Sequence, residues 1–181
     1  MFALHLVTTG LGPFFDGVGH LFLTIEDLLP VIALALLAGL RGPAAGRRVL
    51  FLLPPAWLLG GAVGLSLGAG APSGLAIVSF LVVGGLLALD APLDDRVVTG
   101  LAIVLGIMHG SMNGAAMSAA RSGTLELVGV AISLFVVIAL ASALVVSLSK
   151  PWTRIAVRVA GSWVVATGLL LLGWTLRTRG G

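Results

Sequence analysis

The 181-residue chain has no cysteine. Disulfides, thiolate metal sites and Cys-x-x-Cys redox chemistry are therefore excluded, and a bound metal would have to be held by imidazole, carboxylate, carbonyl or water. Charge is nearly as scarce. Charged residues make up 9% of the chain, against about 25% in a soluble domain, which is too little polar surface for a water-soluble globule. The net charge of +3 comes from loop arginines. No basic patch is interleaved with aromatics, so a nucleic-acid surface is not expected. There is no GxxxxGK[ST] loop for a nucleotide. The first fifteen residues lack the basic start of a signal peptide and are expected to stay in the mature chain.

What is abundant is apolar. Hydrophobic residues make up 59% of the chain and the mean hydropathy is +1.18. The expected fold is all-α: one transmembrane domain over 1–181, with about six membrane-spanning helices of about 20 residues. Residues 1–15, broken by Gly10, Gly12 and Pro13, read as an interfacial or re-entrant lead-in, with His5 as a lone surface histidine. The spans fall near 20–40, 49–69, 74–89, 97–119, 124–148 and 155–176. Trp57, Trp152 and Trp174 read as interface anchors, while Trp163 falls inside the last span. With the N-terminus outside, the inner loops carry Arg41, Arg47, Arg48, Arg96, Lys150, Arg154 and Arg158. The outer segments carry Arg121, Arg177 and Arg179. That imbalance predicts both termini outside.

Against this background the stretch from Asp16 to Arg41 stands out. Three of only seven carboxylates, Asp16, Glu26 and Asp27, fall there with His20. An Asp near the centre of a spanning helix costs about 2.5–3.5 kcal/mol on insertion scales. On one continuous helix, residues 16, 20 and 27 lie within roughly 40° of each other, so they would form one polar stripe with Glu26 on its flank. A plainer reading also stands: Thr24-Ile-Glu-Asp resembles a helix start, with acids in the first turn. That reading explains Glu26 and Asp27 but not Asp16 and His20.

A second polar cluster lies in the fourth span, Met108-His109-Gly110-Ser111-Met112-Asn113-Gly114. His109 and Asn113 are four apart and share a face. Gly106, Gly110 and Gly114 repeat at GxxxG spacing, as do Gly60, Gly64 and Gly68 in the second span. Such ridges let another backbone approach closely. The first span is the expected partner of the fourth, and a homo-oligomer through these faces is the alternative. His20 and His109 each fall in the first span of a three-span half, an arrangement that admits two inverted halves.

At these clusters the chain resembles the HupE/UreJ family of small membrane permeases. That family carries H-P-x-x-G-x-D-H-L-L early and H-G-x-x-H-G later. Here they appear as His20-Leu-Phe-Leu-Thr-Ile-Glu26-Asp27-Leu-Leu and His109-Gly-Ser-Met-Asn113-Gly. Glu26 replaces the aspartate, and Asp27 and Asn113 replace histidines. The resemblance implies a nickel- or cobalt-type permease of the cytoplasmic (inner) membrane, not an enzyme. His20, Glu26, Asp27, His109 and Asn113 would line the metal path, with Asp16 at its mouth. The exchange of imidazole for oxygen donors leaves room for zinc, manganese or iron. Two other classes fit the composition: an intramembrane hydrolase, using a metal-activated water or Ser111 with His20 or His109 as base, and a non-transporting subunit or assembly factor.

Overall fold

The computed structural model describes residues 8–72, 74–120, 123–148 and 150–179. These form seven helices and, among the described residues, no strand. The helices are α1 (Pro13–Leu23), α2 (Ile25–Arg41), α3 (Pro43–Leu67), α4 (Gly74–Ala88), α5 (Asp95–Ala120), α6 (Thr124–Ser147) and α7 (Pro151–Arg179). Two Gly-Pro pairs start helices. Gly12 and Gly42 take φ of 104° and 111°, and the proline that follows opens α1 and α3. Proline is cheap there because the first turn has no acceptor for its missing N–H.

The six expected segments are present, with two changes in kind. First, the segment over 20–40 is not one helix. It is the pair α1 and α2, bent by 72° at Thr24. Thr24 has φ −95° and ψ 90°, an extended conformation. Gly17 and Gly19 weaken α1, the β-branched Thr24 and Ile25 sit at the joint, and Pro30 denies α2 one early hydrogen bond. Second, α4 has 15 residues, about 22 Å of helix, short of a hydrocarbon core of about 30 Å. Among the described residues four helices, α3, α5, α6 and α7, are long and apolar enough to cross a membrane, and the bent pair makes a fifth when it is counted as one broken span. His5 lies outside the described residues.

The glycine ridges determine the packing. α3 and α5 form the most extensive helix pair. A Cβ on Gly60 or Gly64 would run into the backbone carbonyls of Ile107 or Ser111, and one on Gly110 or Gly114 into those of Trp57 or Gly61. The partner of the fourth-span ridge is therefore α3 and not the first span. These glycines are taken up within one chain. Gly68 is not part of the ridge but ends α3 in the left-handed conformation. Two smaller glycine crossings hold the rest. Gly17 of α1 meets Glu126 of α6, and Gly129 of α6 meets Phe14. Gly84 of α4 meets Gly161 of α7. Exchanging the two halves turns the α1–α6 crossing into the α5–α3 crossing and maps α4–α7 onto itself. The α2–α4 pair has no counterpart of similar extent, so the correspondence is partial.

One end of the bundle carries a network of ion pairs. Arg41 and Arg154 both hold the carboxylate of Asp90, and Arg48 pairs with Asp95 at 2.7 Å. Asp94 accepts hydrogen bonds from the backbone N–H groups of Arg96 and Val97 and so caps α5.

Candidate metal centre

The break at Thr24 puts His20 in the last turn of α1 and Asp27 in the first turn of α2. Each charge suits its place, since a helix C-terminus favours a cation and an N-terminus an anion. His109 and Asn113 come from the middle of α5, where their four-residue spacing keeps them on one face. All four residues are at most 3% exposed.

The four meet. His109 Nδ1 lies 2.7 Å from Asp27 Oδ1. A carboxylate only accepts, so this nitrogen carries the proton. His20 Nε2 lies 3.1 Å from Asn113 Oδ1 and 3.6 Å from Asp27 Oδ2. Three polar atoms of these side chains have no hydrogen-bond partner: His20 Nδ1, Asp27 Oδ2 and Asn113 Nδ2. Buried polar atoms are rarely left so, each costing about 1–3 kcal/mol. Among the described residues, no group of three or more His, Asp and Glu side chains is placed to hold a metal ion. The cluster closes on itself through an asparagine.

Two further residues fix His109, and the sequence did not single them out for this. Ser79 Oγ of α4 lies 3.0 Å from His109 Nε2 and donates to the Ala76 carbonyl at 2.6 Å. The Trp57 indole stacks on the imidazole with ring centroids 5.6 Å apart and planes 25° off parallel. Trp57 is fully buried and so is not an interface anchor, whereas Trp152, Trp163 and Trp174 are exposed. A third unforeseen residue is Glu126, buried in the first turn of α6 within electrostatic reach of His20. In sequence it reads as an ordinary first-turn acid after Gly123.

The remaining candidates stand apart. Asp16 turns outward and accepts hydrogen bonds from the N–H and hydroxyl of Thr9 at 2.6 and 2.7 Å. The expected stripe of Asp16, His20 and Asp27 fails because the wheel cannot be carried across the 72° bend. Glu26 is half-buried on the flank of α2, within electrostatic reach of Asp27 and His109. The helix-start reading of Thr24-Ile-Glu-Asp is right about position, but the Thr24 side chain makes no capping bond. The Ser111 hydroxyl is spent on the backbone. It donates to the Met108 carbonyl and accepts from the Ala71 N–H.

A family model described as "HupE / UreJ protein" matches residues 1–171. No curated protein and no solved structure matches the chain.

Proposed function

The chain belongs to the HupE/UreJ family, a transporter-type family associated with nickel and cobalt, and we propose that it carries a divalent transition-metal ion across the inner membrane, with the short α4 completing six passes and both termini outside. One observation supports this most directly: a buried carboxylate, two imidazoles and an amide converge beside a helix break, and three of their polar atoms lack a hydrogen-bond partner. Substrate sites at broken helices near the membrane midplane are a recurring transporter device.

The cation is the substrate. It replaces the His20–Asn113 contact and takes the His20 ring, Asp27 Oδ2 and Asn113 as donors, keeping waters in its other positions. Both nitrogens of His109 are already engaged, so His109 serves to orient Asp27. Metal-bound groups are commonly fixed by such outer partners. A single carboxylate and neutral donors hold the ion loosely enough to let it leave. Nickel and cobalt accept this mixture of nitrogen and oxygen, as do zinc, manganese and iron. Asp16 and Glu26 contribute negative charge on the approach.

The order Ser79–His109–Asp27 has the connectivity of an acyl-transfer relay. Ser79, however, lies buried within α4 and donates to the Ala76 carbonyl. This favours carriage over hydrolysis.

The test is uptake of nickel and cobalt into liposomes containing only this protein. Wild type is expected to accumulate metal and Asp27→Asn to lose at least about tenfold of the rate, a loss of about 1.4 kcal/mol. Elemental analysis of both proteins should show metal leaving with the carboxylate. Uptake by Asp27→Asn equal to wild type removes the site. No uptake by wild type makes the chain a partner subunit.

A further inference from the structure

At the end that carries the ion pairs, away from the metal centre, a cavity of about 300 Å³ opens between the ends of α2 and α6 and the starts of α3 and α7. Leu40 and Val157 form an apolar wall, and Lys150 and Arg154 stand at the rim. Arg154 uses Nε to hold Asp90, leaving its terminal nitrogens outside that bond. Arg41 and Arg158 act on the same carboxylate, so one anion is surrounded by several cations and the rim keeps a surplus of positive charge. The positive end of the α7 dipole adds to it. Beside the cavity, Trp152 is exposed, as expected of a residue at the level of lipid headgroups. Val146 and Ile155 continue the apolar surface outward on α6 and α7.

We propose that this cavity binds the phosphate headgroup of an anionic membrane lipid. Lys150 and Arg154 take the phosphate, and the wall of Leu40 and Val157 takes the glycerol end. The acyl chains run out along Val146 and Ile155. The volume suits a headgroup and not a whole lipid. Basic pockets between spanning helices on the positively charged side are suited to such headgroups. A free phosphate ion would use the rim but gain nothing from the wall. The site does not depend on what the metal centre carries.

Thermal unfolding of the purified full-length protein in neutral detergent tests this, with phosphatidylglycerol, phosphatidylcholine or inorganic phosphate added. Phosphatidylglycerol is expected to raise Tm by several degrees, as a ligand bound only by the folded state must, and the other two to leave it unchanged. Lys150→Gln should lose most of the rise. Arg47→Gln, an exposed cation at the same end but outside the cavity, should keep it. Native mass spectrometry of wild type should show retained phosphatidylglycerol in preference to phosphatidylcholine. An equal rise with inorganic phosphate means an ion site and overturns the lipid. Equal losses in the two variants mean a general surface field and overturn the cavity, as does a full response in Lys150→Gln.

Discussion

Asp27 and His109 are 82 residues apart in the chain and 2.7 Å apart in space. Their helices, α2 and α5, share little other surface, so this bond is the main polar tie between them. It joins the start of a half-helix to the middle of the longest glycine-packed pair. His109 is held in turn by Ser79 from α4 and Trp57 from α3. Four helices therefore decide where one carboxylate points.

Removing the hydroxyl of Ser79 should loosen His109 without emptying much volume. Ser79→Ala is expected to fold normally and to raise the metal concentration for half-maximal uptake several-fold, leaving the maximal rate nearly intact. Titrating uptake against nickel in liposomes separates the two parameters. An unchanged titration would show that Ser79 merely satisfies its own helix.

Glu126 places a second buried carboxylate within electrostatic reach of His20. Glu126→Gln keeps the shape and removes the charge. The expected outcome is about tenfold weaker apparent metal affinity, equivalent to about 1.4 kcal/mol, with protein yield unchanged. Glu26→Gln, on a half-buried flank, should weaken it less. Metal-dependence curves for the two variants side by side check the order.

Gly110 has no room for a methyl group, because a Cβ there would enter the backbone of Trp57. Gly110→Ala is expected to cost about 1–3 kcal/mol, the usual range for overpacking, and to displace the indole from His109. Gly85 in α4 has open space around it, so Gly85→Ala should be neutral or slightly stabilising. Thermal unfolding in detergent, with tryptophan fluorescence as the probe, reads both effects.

Asp90 links α2 to α7 through Arg41 and Arg154. Burial pushes its pKa up, but the Arg154 hydrogen bond and the charges of Arg154, Arg41 and Arg158 outweigh this and hold it below the ordinary carboxylate value. A group whose pKa is lowered in the folded state stabilises fully above its unfolded pKa, about 3.9. The contribution fades as pH falls through the lower folded value. Asp90→Asn should therefore lower Tm at pH 7, and the gap from wild type should close as pH falls below about 4. A gap constant from pH 7 to pH 3 would mean that the arginines hold the turn by packing alone.

The core of the site was legible because polar residues inside apolar runs are costly and so conspicuous. His20, Asp27, His109 and Asn113 stood out for that reason, and the structure brings them together. Asp16 was misplaced because a helical wheel assumes a straight helix; Gly17, Gly19 and Pro30 signal that this one can break, but they do not put the joint at Thr24. Ser79 and Glu126 were missed for opposite reasons. A serine in a spanning helix usually satisfies its own backbone, as Ser79 partly does, and an acid near a helix start needs no other role. The glycine ridges announced close approach correctly. A ridge does not name its partner, and α5 chose α3.

The joint at Thr24 has a mechanical corollary. The imidazole of His20 is attached to one side of a single non-helical residue and the carboxylate of Asp27 to the other, so two backbone torsions set the spacing between them. Any swing of the short N-terminal rod on its pivot would change how firmly the proposed ion is gripped, and a tightly gripped ion would resist that swing.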